Sequence, residues 1–242
     1  MVSTGNPPPN LLLLSNSRSP NGDYLVHALP ALREFAGTRR RALFFPFAAV
    51  TVDWDAYLGM AQQALDPLAI TLDGAHRCTD LQSAIAQAEL LLVGGGNTFR
   101  LLYEMRARLC LEPMRAAVAA GAHYVGWSAG SVLAAPSIAT TNDMPIIDPL
   151  GLDALALIPF QINAHYSNAL PTGHQGETRD QRLAEYLVLH PGATILALPE
   201  GNWLEVRGQQ MQLSGPHSSL LFVAGQEPAN CAAGRFQLPS GR

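Results

Sequence analysis

The chain has 242 residues, 48% of them hydrophobic and 14% charged, with a formal net charge of −4. That length fits one α/β domain with a substantial core, and a charged fraction well below the usual ~25% argues against extended disorder. Arginines are spread along the chain rather than clustered, so the basic footprint of a nucleic-acid binder is not expected. Cys78, Cys110 and Cys231 have no C-x-x-C spacing and read as free thiols of a reducing compartment. The first ten residues lack a basic side chain and carry Pro7-Pro8-Pro9, and the apolar run after them spans only Leu11 to Leu14. That is neither a signal peptide nor a membrane span. A cytoplasmic protein is expected, with no membrane or nucleic-acid partner, acting as a monomer or homodimer.

In chain order, 1–10 reads as a flexible extension and Leu11–Leu14 as a fully buried strand, bounded by the polar turn Ser15 to Gly22. A helix is predicted over 23–36, with Pro30 disturbing its middle. A second buried strand runs over 41–47. Trp54, Tyr57, Leu58, Ala61 and Leu65 recur at i, i+3, i+4 spacing and predict a helix over 53–65. A third strand is predicted over 68–72, then a helix from a Thr79 cap to Ala88. A fourth strand, 89–93, runs into Gly94-Gly95-Gly96-Asn97-Thr98. Helices over 98–109 and 112–120 lead to a fifth strand at 122–125. Farther on, strands are expected over 160–164, 194–198 and 219–223, with a helix over 177–189. Residues 204–208 and 209–213 alternate and predict a hairpin, and 225–242 is loop-like in composition. The alternation of strands and helices predicts a single α/β domain over 1–242: a mostly parallel sheet covered by helices on both faces. In such sheets, ligands bind at the C-terminal ends of the strands.

Gly126-Trp127-Ser128-Ala129-Gly130 stands between the fifth strand and a small-residue segment able to open a helix. Strand, G-x-S-x-G, helix is the arrangement that pushes a serine hydroxyl out on a sharp turn. A structural strand-to-helix turn would use the same glycines. As a nucleophile, Ser128 would have the Ala129 N–H facing a developing oxyanion, and the Gly94-Gly95-Gly96 turn would present further N–H groups to an anion. No Walker-type lysine follows that turn, so a phosphate loop is disfavoured.

A serine nucleophile needs a base, and the base needs an orienting acceptor. Among the downstream histidines, His165 ends a predicted strand on the edge that carries Ser128. His190 is placed at a helix end, where a cation is structurally favourable, and His174 and His217 lie in loops. Two carboxylates are candidates for the orienter: Glu200, at the end of the seventh strand on the same predicted edge, and Asp143, in the loop after the elbow.

Taken together, Leu11–Ser17, Phe45–Ala48, Val93–Phe99, Gly126–Gly130, Thr140–Ile146, Gln161–His165, Gly176–Arg179 and Leu198–Trp203 resemble peptidase E, the α-aspartyl dipeptidase. This is a serine dipeptidase family with a fold similar to class I glutamine amidotransferase domains, of flavodoxin-like type; cyanophycinases are more distant relatives. The resemblance covers nearly everything from Leu11 to about Val223, and the proline-bearing extension departs from it. It implies Ser128 as nucleophile, His165 as base and Glu200 as third member, with Asp143 a rival on another family motif. It also implies an oxyanion hole of the Ala129 N–H with Gly95 or Gly96, and Asp-X dipeptides as substrates. An aspartyl side chain needs a cation, and Arg179, on the G-E-T-R motif, is the candidate, since a guanidinium meets a carboxylate bidentately. Arg18 and Arg100 are the next candidates. No cofactor is implied, and no metal, because H-E-x-x-H and short ligand spacing are absent. Competing expectations are another hydrolase of the same fold, cyanophycinase-like or an esterase, and a non-catalytic binding module. A glutamine amidotransferase is disfavoured because its nucleophile is cysteine.

Overall fold

The structure is a computed structural model that describes residues 9–238 except 171 and 174. Most of the expected N-terminal extension, and His174, therefore lie outside the described residues. In chain order the strands are β1 (Asn10–Leu14), β2 (Arg41–Phe45), β3 (Thr71–Gly74), β4 (Leu90–Val93), β5 (His123–Trp127), β6 (Gln161–Asn163), β7 (Thr194–Ala197), β8 (Trp203–Arg207), β9 (Gln210–Ser214), β10 (Ser219–Val223), β11 (Ala229–Cys231) and β12 (Gly234–Phe236). The helices are α1 (Leu29–Ala36), α2 (Trp54–Leu65), α3 (Leu81–Gln87), α4 (Thr98–Ala107), α5 (Leu111–Ala119), α6 (Ala129–Leu133) and α7 (Arg179–Leu189).

The main sheet has eight strands in the order β12-β9-β8-β1-β5-β4-β2-β3. Its β1, β5, β4, β2 and β3 are parallel, while β8, β9 and β12 extend it antiparallel. Side chains alternate across a strand, and the leucine run uses both faces. Leu11 and Leu13 join Phe45, Val93 and Tyr124 against α4, α5 and α6. Leu12 and Leu14 join Phe44, Leu92, Val125 and Trp127 against α1 and α2. All four leucines are fully buried, each stabilising the fold by about 1.5–3 kcal/mol.

The expectation that His165 and Glu200 share the sheet edge of Ser128 is corrected. β6 and β7 belong to a second, four-stranded sheet, β11-β10-β7-β6. The free side of β1 is taken by β8, whose hairpin with β9 places Leu204 opposite both Leu13 and Leu213. The second sheet is instead covered by Leu183 and Leu187 of α7, packed on Ile195, Ala197 and Phe222.

The two sheets are joined at their C-terminal ends. Ser15, just past β1, donates from Oγ to the Leu198 carbonyl at 2.7 Å and accepts from the His165 N–H at 2.9 Å. Asn16 Oδ1 accepts from the Gly201 N–H at 2.7 Å. The residues after β6 and β7 are thereby brought to the mouth of β1 and β5.

Local departures have local causes. The third strand starts later than predicted because Pro67 sits in a 3-10 turn over 66–68, and Ala69 takes a left-handed conformation (φ 53°) before β3. Pro30 lies in the first turn of α1, where its missing N–H costs nothing, so the helix starts at Leu29 after a 3-10 turn. Asp80, not Thr79, caps α3 by accepting from the Ser83 N–H. Within the segment that reads as loop-like, β11 pairs with β10 and β12 with β9, and Phe236 packs edge-on to Phe160.

Candidate active site

Ser128 sits between β5 and α6 with φ 53° and ψ −116°, a conformation that costs a non-glycine residue free energy and persists only where its surroundings impose it. Its N–H donates to the Leu14 carbonyl at 3.0 Å. Ser131 Oγ bridges the Leu14 and Gly126 carbonyls at 2.6 and 2.8 Å, and Tyr124 Oη donates to the Gly130 carbonyl at 2.6 Å. The elbow glycines are required by space. A Cβ on Gly126 would strike the Gly130 carbonyl, and one on Gly130 would strike the Val93 carbonyl.

His165 follows β6, also with positive φ (53°). Its Nε2 lies 2.8 Å from Ser128 Oγ, and its Nδ1 lies 2.8 Å from Glu200 Oε1. With Nδ1–H donating to the Glu200 carboxylate, Nε2 is free to accept the serine proton. That is the geometry of nucleophile, base and orienting carboxylate. The order along the chain is Ser, His, Glu. His165 and Glu200 side chains are both partly open to solvent, so a substrate can reach them.

Asp143 is not brought to this line. Its Oδ2 accepts from the Thr98 N–H at 2.7 Å, from Thr98 Oγ1 at 2.5 Å and from Thr141 Oγ1 at 3.2 Å. It caps the first turn of α4, where a carboxylate complements unpaired N–H groups, and so pins the 140–146 loop. Asn97 completes the junction, donating from Nδ2 to the Met144 carbonyl and capping the Arg100 N–H.

Beside the elbow, the Gly95 backbone packs so closely on Ser128 that a Cβ there would come to 2.9 Å from the Ser128 Cβ. Among the described residues, the N–H groups of Gly95 and Gly96 have no protein acceptor. With the Ala129 N–H, at the start of α6 directly after the serine, they are backbone donors of the kind an oxyanion needs.

Arg179 opens α7, capped by Thr178 and Gln181 in a reciprocal capping box. Its guanidinium donates to Asn142 Oδ1, and its buried Nε has no partner among the described residues. Burial pulls its pKa below the usual guanidinium value, and the charge of Arg182 adds to the shift. Asn142 donates to the Ala164 carbonyl at 2.8 Å and accepts from Asn163 Nδ2 at 2.7 Å, which holds the Arg179 head next to the residue preceding His165. Arg100 is elsewhere, paired with Glu104. Arg18 lines a cavity of about 780 Å³ with His165, Glu200, Trp203 and His217. His190 caps the end of α7 against Tyr186. Among the described residues no cluster of His, Cys, Asp and Glu has the grouping of a metal site.

Sequence reasoning missed Ser15 and Asn142 as parts of this site. Both lie on segments singled out by the resemblance, but nothing local marks a serine after a leucine run as the tie between two sheets.

The profile of peptidase family S51 matches residues 11–214. The chain belongs to peptidase family S51. Curated family relatives named peptidase E include one from Citrobacter koseri, 53% identical over 224 residues, which cover 93% of this chain and 98% of that protein. Another, from Salmonella typhimurium, is 52% identical over the same shares. The fold is also that of a crystal structure of a peptidase from an acI-B1 actinobacterium. That structure has a TM-score of 0.66 and 14% identity over 95% of this chain and 100% of that one. A structure from Listeria monocytogenes matches with a TM-score of 0.62 and 22% identity, over 86% and 99%. In this S51 chain no helix among the described residues is long and apolar enough to cross a membrane, and the three cysteines are free.

Proposed function

We propose that the protein is a cytoplasmic serine dipeptidase that removes N-terminal aspartate from Asp-X dipeptides, with Ser128 as nucleophile, His165 as base and Glu200 as its orienter. The observation that carries this reading is the continuous line Ser128 Oγ–His165 Nε2 and His165 Nδ1–Glu200 Oε1, 2.8 Å at each step, in an S51 chain whose relatives are named peptidase E.

His165 takes the Ser128 proton as Oγ attacks the scissile carbonyl carbon. The carbonyl π pair moves to oxygen, where the backbone N–H groups of Ala129 and of Gly95 or Gly96 hold it. Collapse breaks the C–N bond, and His165 gives its proton to the leaving amine. Water, deprotonated by the same imidazole, then attacks the aspartyl ester and frees Ser128. Glu200 holds Nδ1–H throughout and stabilises the imidazolium. Arg179 receives the aspartyl carboxylate, because burying that charge unpaired is very costly and a planar guanidinium can meet both of its oxygens.

The test is a panel of Asp-X, Glu-X, Asn-X and Ala-X dipeptides, with β-linked aspartyl-arginine and simple esters alongside. Hydrolysis confined to Asp-X supports the proposal. Preference for the β-linked substrate or for esters would assign the same triad to another hydrolase chemistry.

A further inference from the structure

Behind the Gly94–Gly96 turn lies a chain of aromatic hydrogen bonds that the mechanism above does not use. Trp127, the residue before the nucleophile, donates from Nε1 to Tyr57 Oη at 3.0 Å. Tyr24 Oη lies 3.0 Å from Tyr57 Oη, and Tyr57 Oη lies 3.1 Å from the Gly95 carbonyl. The proton directions follow from chemistry alone. An indole N–H can only donate and a carbonyl can only accept. The single Tyr57 proton therefore goes to Gly95, and Tyr24 must donate its own to Tyr57.

The rings around this hydroxyl are fixed. Tyr57 meets Phe44 edge-on with centroids 5.2 Å apart, Phe44 stacks on Trp127 at 5.7 Å, and Tyr24 meets Trp127 edge-on at 6.3 Å. Trp127 is fully buried, and Tyr57 nearly so. Burial pushes the Tyr57 phenol above its ordinary pKa, so it remains a donor. Position 94 must be glycine for the ring to sit here, because an added Cβ would come to 2.7 Å from Tyr57 Oη.

The Gly95–Gly96 peptide is trans, so its N–H points opposite to its carbonyl. A hydroxyl that fixes the Gly95 carbonyl therefore fixes the direction of the Gly96 N–H. The same segment packs against the Ser128 Cβ. From this we infer that Tyr57 is a positioning residue for the proposed peptidase reaction: held by Trp127 and Tyr24, it anchors the Gly95 carbonyl and so aims the Gly96 amide at the oxyanion that forms beside Ser128. Nucleophile and oxyanion donor are then set by one rigid unit, since Trp127 is covalently joined to Ser128 and hydrogen-bonded through Tyr57 to the Gly95–Gly96 peptide. The inference rests on the reading of Ser128 as nucleophile.

The test is Tyr57→Phe, which keeps the ring and removes the donor. For an Asp-X dipeptide, kcat should fall about 10- to 100-fold with KM near wild type, the pattern of a misplaced oxyanion donor. Affinity for an aspartyl boronic acid, which forms a tetrahedral adduct on the serine, should fall by a similar factor. Binding of the dipeptide itself, measured in a Ser128→Ala background with and without Tyr57→Phe, should not change. A merely structural tyrosine would lower the melting temperature and leave kcat and the boronate affinity unaltered; that outcome overturns the inference. If Tyr57→Phe does not fold, Trp127→Phe removes one of the two donors that hold the Tyr57 hydroxyl in place and should lower kcat with KM unchanged. An unchanged kcat there also overturns it. A fully active Ser128→Ala enzyme would instead overturn the functional reading, whatever Tyr57 does.

Discussion

His165 Nδ1 lies 2.8 Å from Glu200 Oε1, although the two residues end strands of a sheet that does not contain the Ser128 strand. The other candidate carboxylate, Asp143, is turned to the N-terminus of α4. The two acids therefore differ in the effect that removing their charge should have. Glu200→Gln should lower kcat by as much as ~10⁴, because the imidazole loses both its tautomer and the partner for its positive form. Asp143→Asn should keep kcat within about tenfold and instead cost stability, about 1 kcal/mol for a weakened cap. Parallel kcat and melting measurements on the two variants decide between these roles. A dead Asp143 variant beside a near-normal Glu200 variant reverses the assignment.

Arg179 is half-buried, with its pKa depressed by burial and its head held by Asn142. An arginine already desolvated and directed in this way should bind a carboxylate strongly. Replacing it by Ala should cost Asp-X hydrolysis roughly 2–5 kcal/mol in kcat/KM and bring the Asp-X to Asn-X ratio down at least tenfold. The check is kcat/KM for both substrates in both proteins. An unchanged ratio would move attention to Arg18, which lines the cavity next to His165 and Glu200.

Ser15 tests whether the junction between the sheets matters to the site. Its hydroxyl is buried and serves the His165 N–H and the Leu198 carbonyl together. Ser15→Ala leaves the His165 N–H unpaired, at a cost of about 1–3 kcal/mol, while the Leu198 carbonyl keeps the Tyr166 N–H at 3.0 Å. It should also loosen the backbone that carries His165, so kcat should fall along with the melting temperature. A loss of stability with unaltered kcat would show that the junction serves the fold alone.

His123 should give stability a pH dependence whose sign follows from its burial. Burial lowers its pKa, and the charge of Arg39 lowers it further, while Nδ1 lies 3.0 Å from the Phe35 carbonyl. His27 is lowered by burial in the same direction. In both cases the unfolded chain takes up a proton first as pH falls below its ordinary value of about 6.5. Stability should therefore be complete above that pH and decline on acidification. The melting temperature measured between pH 7.5 and 5 should fall, and less steeply in His123→Asn. An equal slope in that variant would remove His123 from the account.

Much of this was legible in the residues. The elbow shows in sequence because Gly126 is forced by the Gly130 carbonyl of the same strand–turn–helix unit and Gly130 by the Val93 carbonyl of the neighbouring strand, and the leucine run because every one of its side chains is buried. The fate of Asp143 was not legible, since its main partner, Thr98, lies 45 residues away and their meeting depends on how a loop crosses the sheet edge. The membership of β6 and β7 in a separate sheet was hidden for a related reason. β6 has three residues, too few to reveal a partner by periodicity, and β8 competes for the same edge of β1. β11 and β12 are equally short, and only Phe236 among them is buried.

The most direct test of the central claim is the turnover of an Asp-X dipeptide by Ser128→Ala. The serine is small and its hydroxyl faces His165, so the fold should be preserved, with a melting temperature near wild type. The account predicts a loss of kcat on the order of 10⁶, as expected when a serine nucleophile that works with its histidine is removed. Turnover within about tenfold of wild type, in a preparation free of wild-type enzyme, would contradict it.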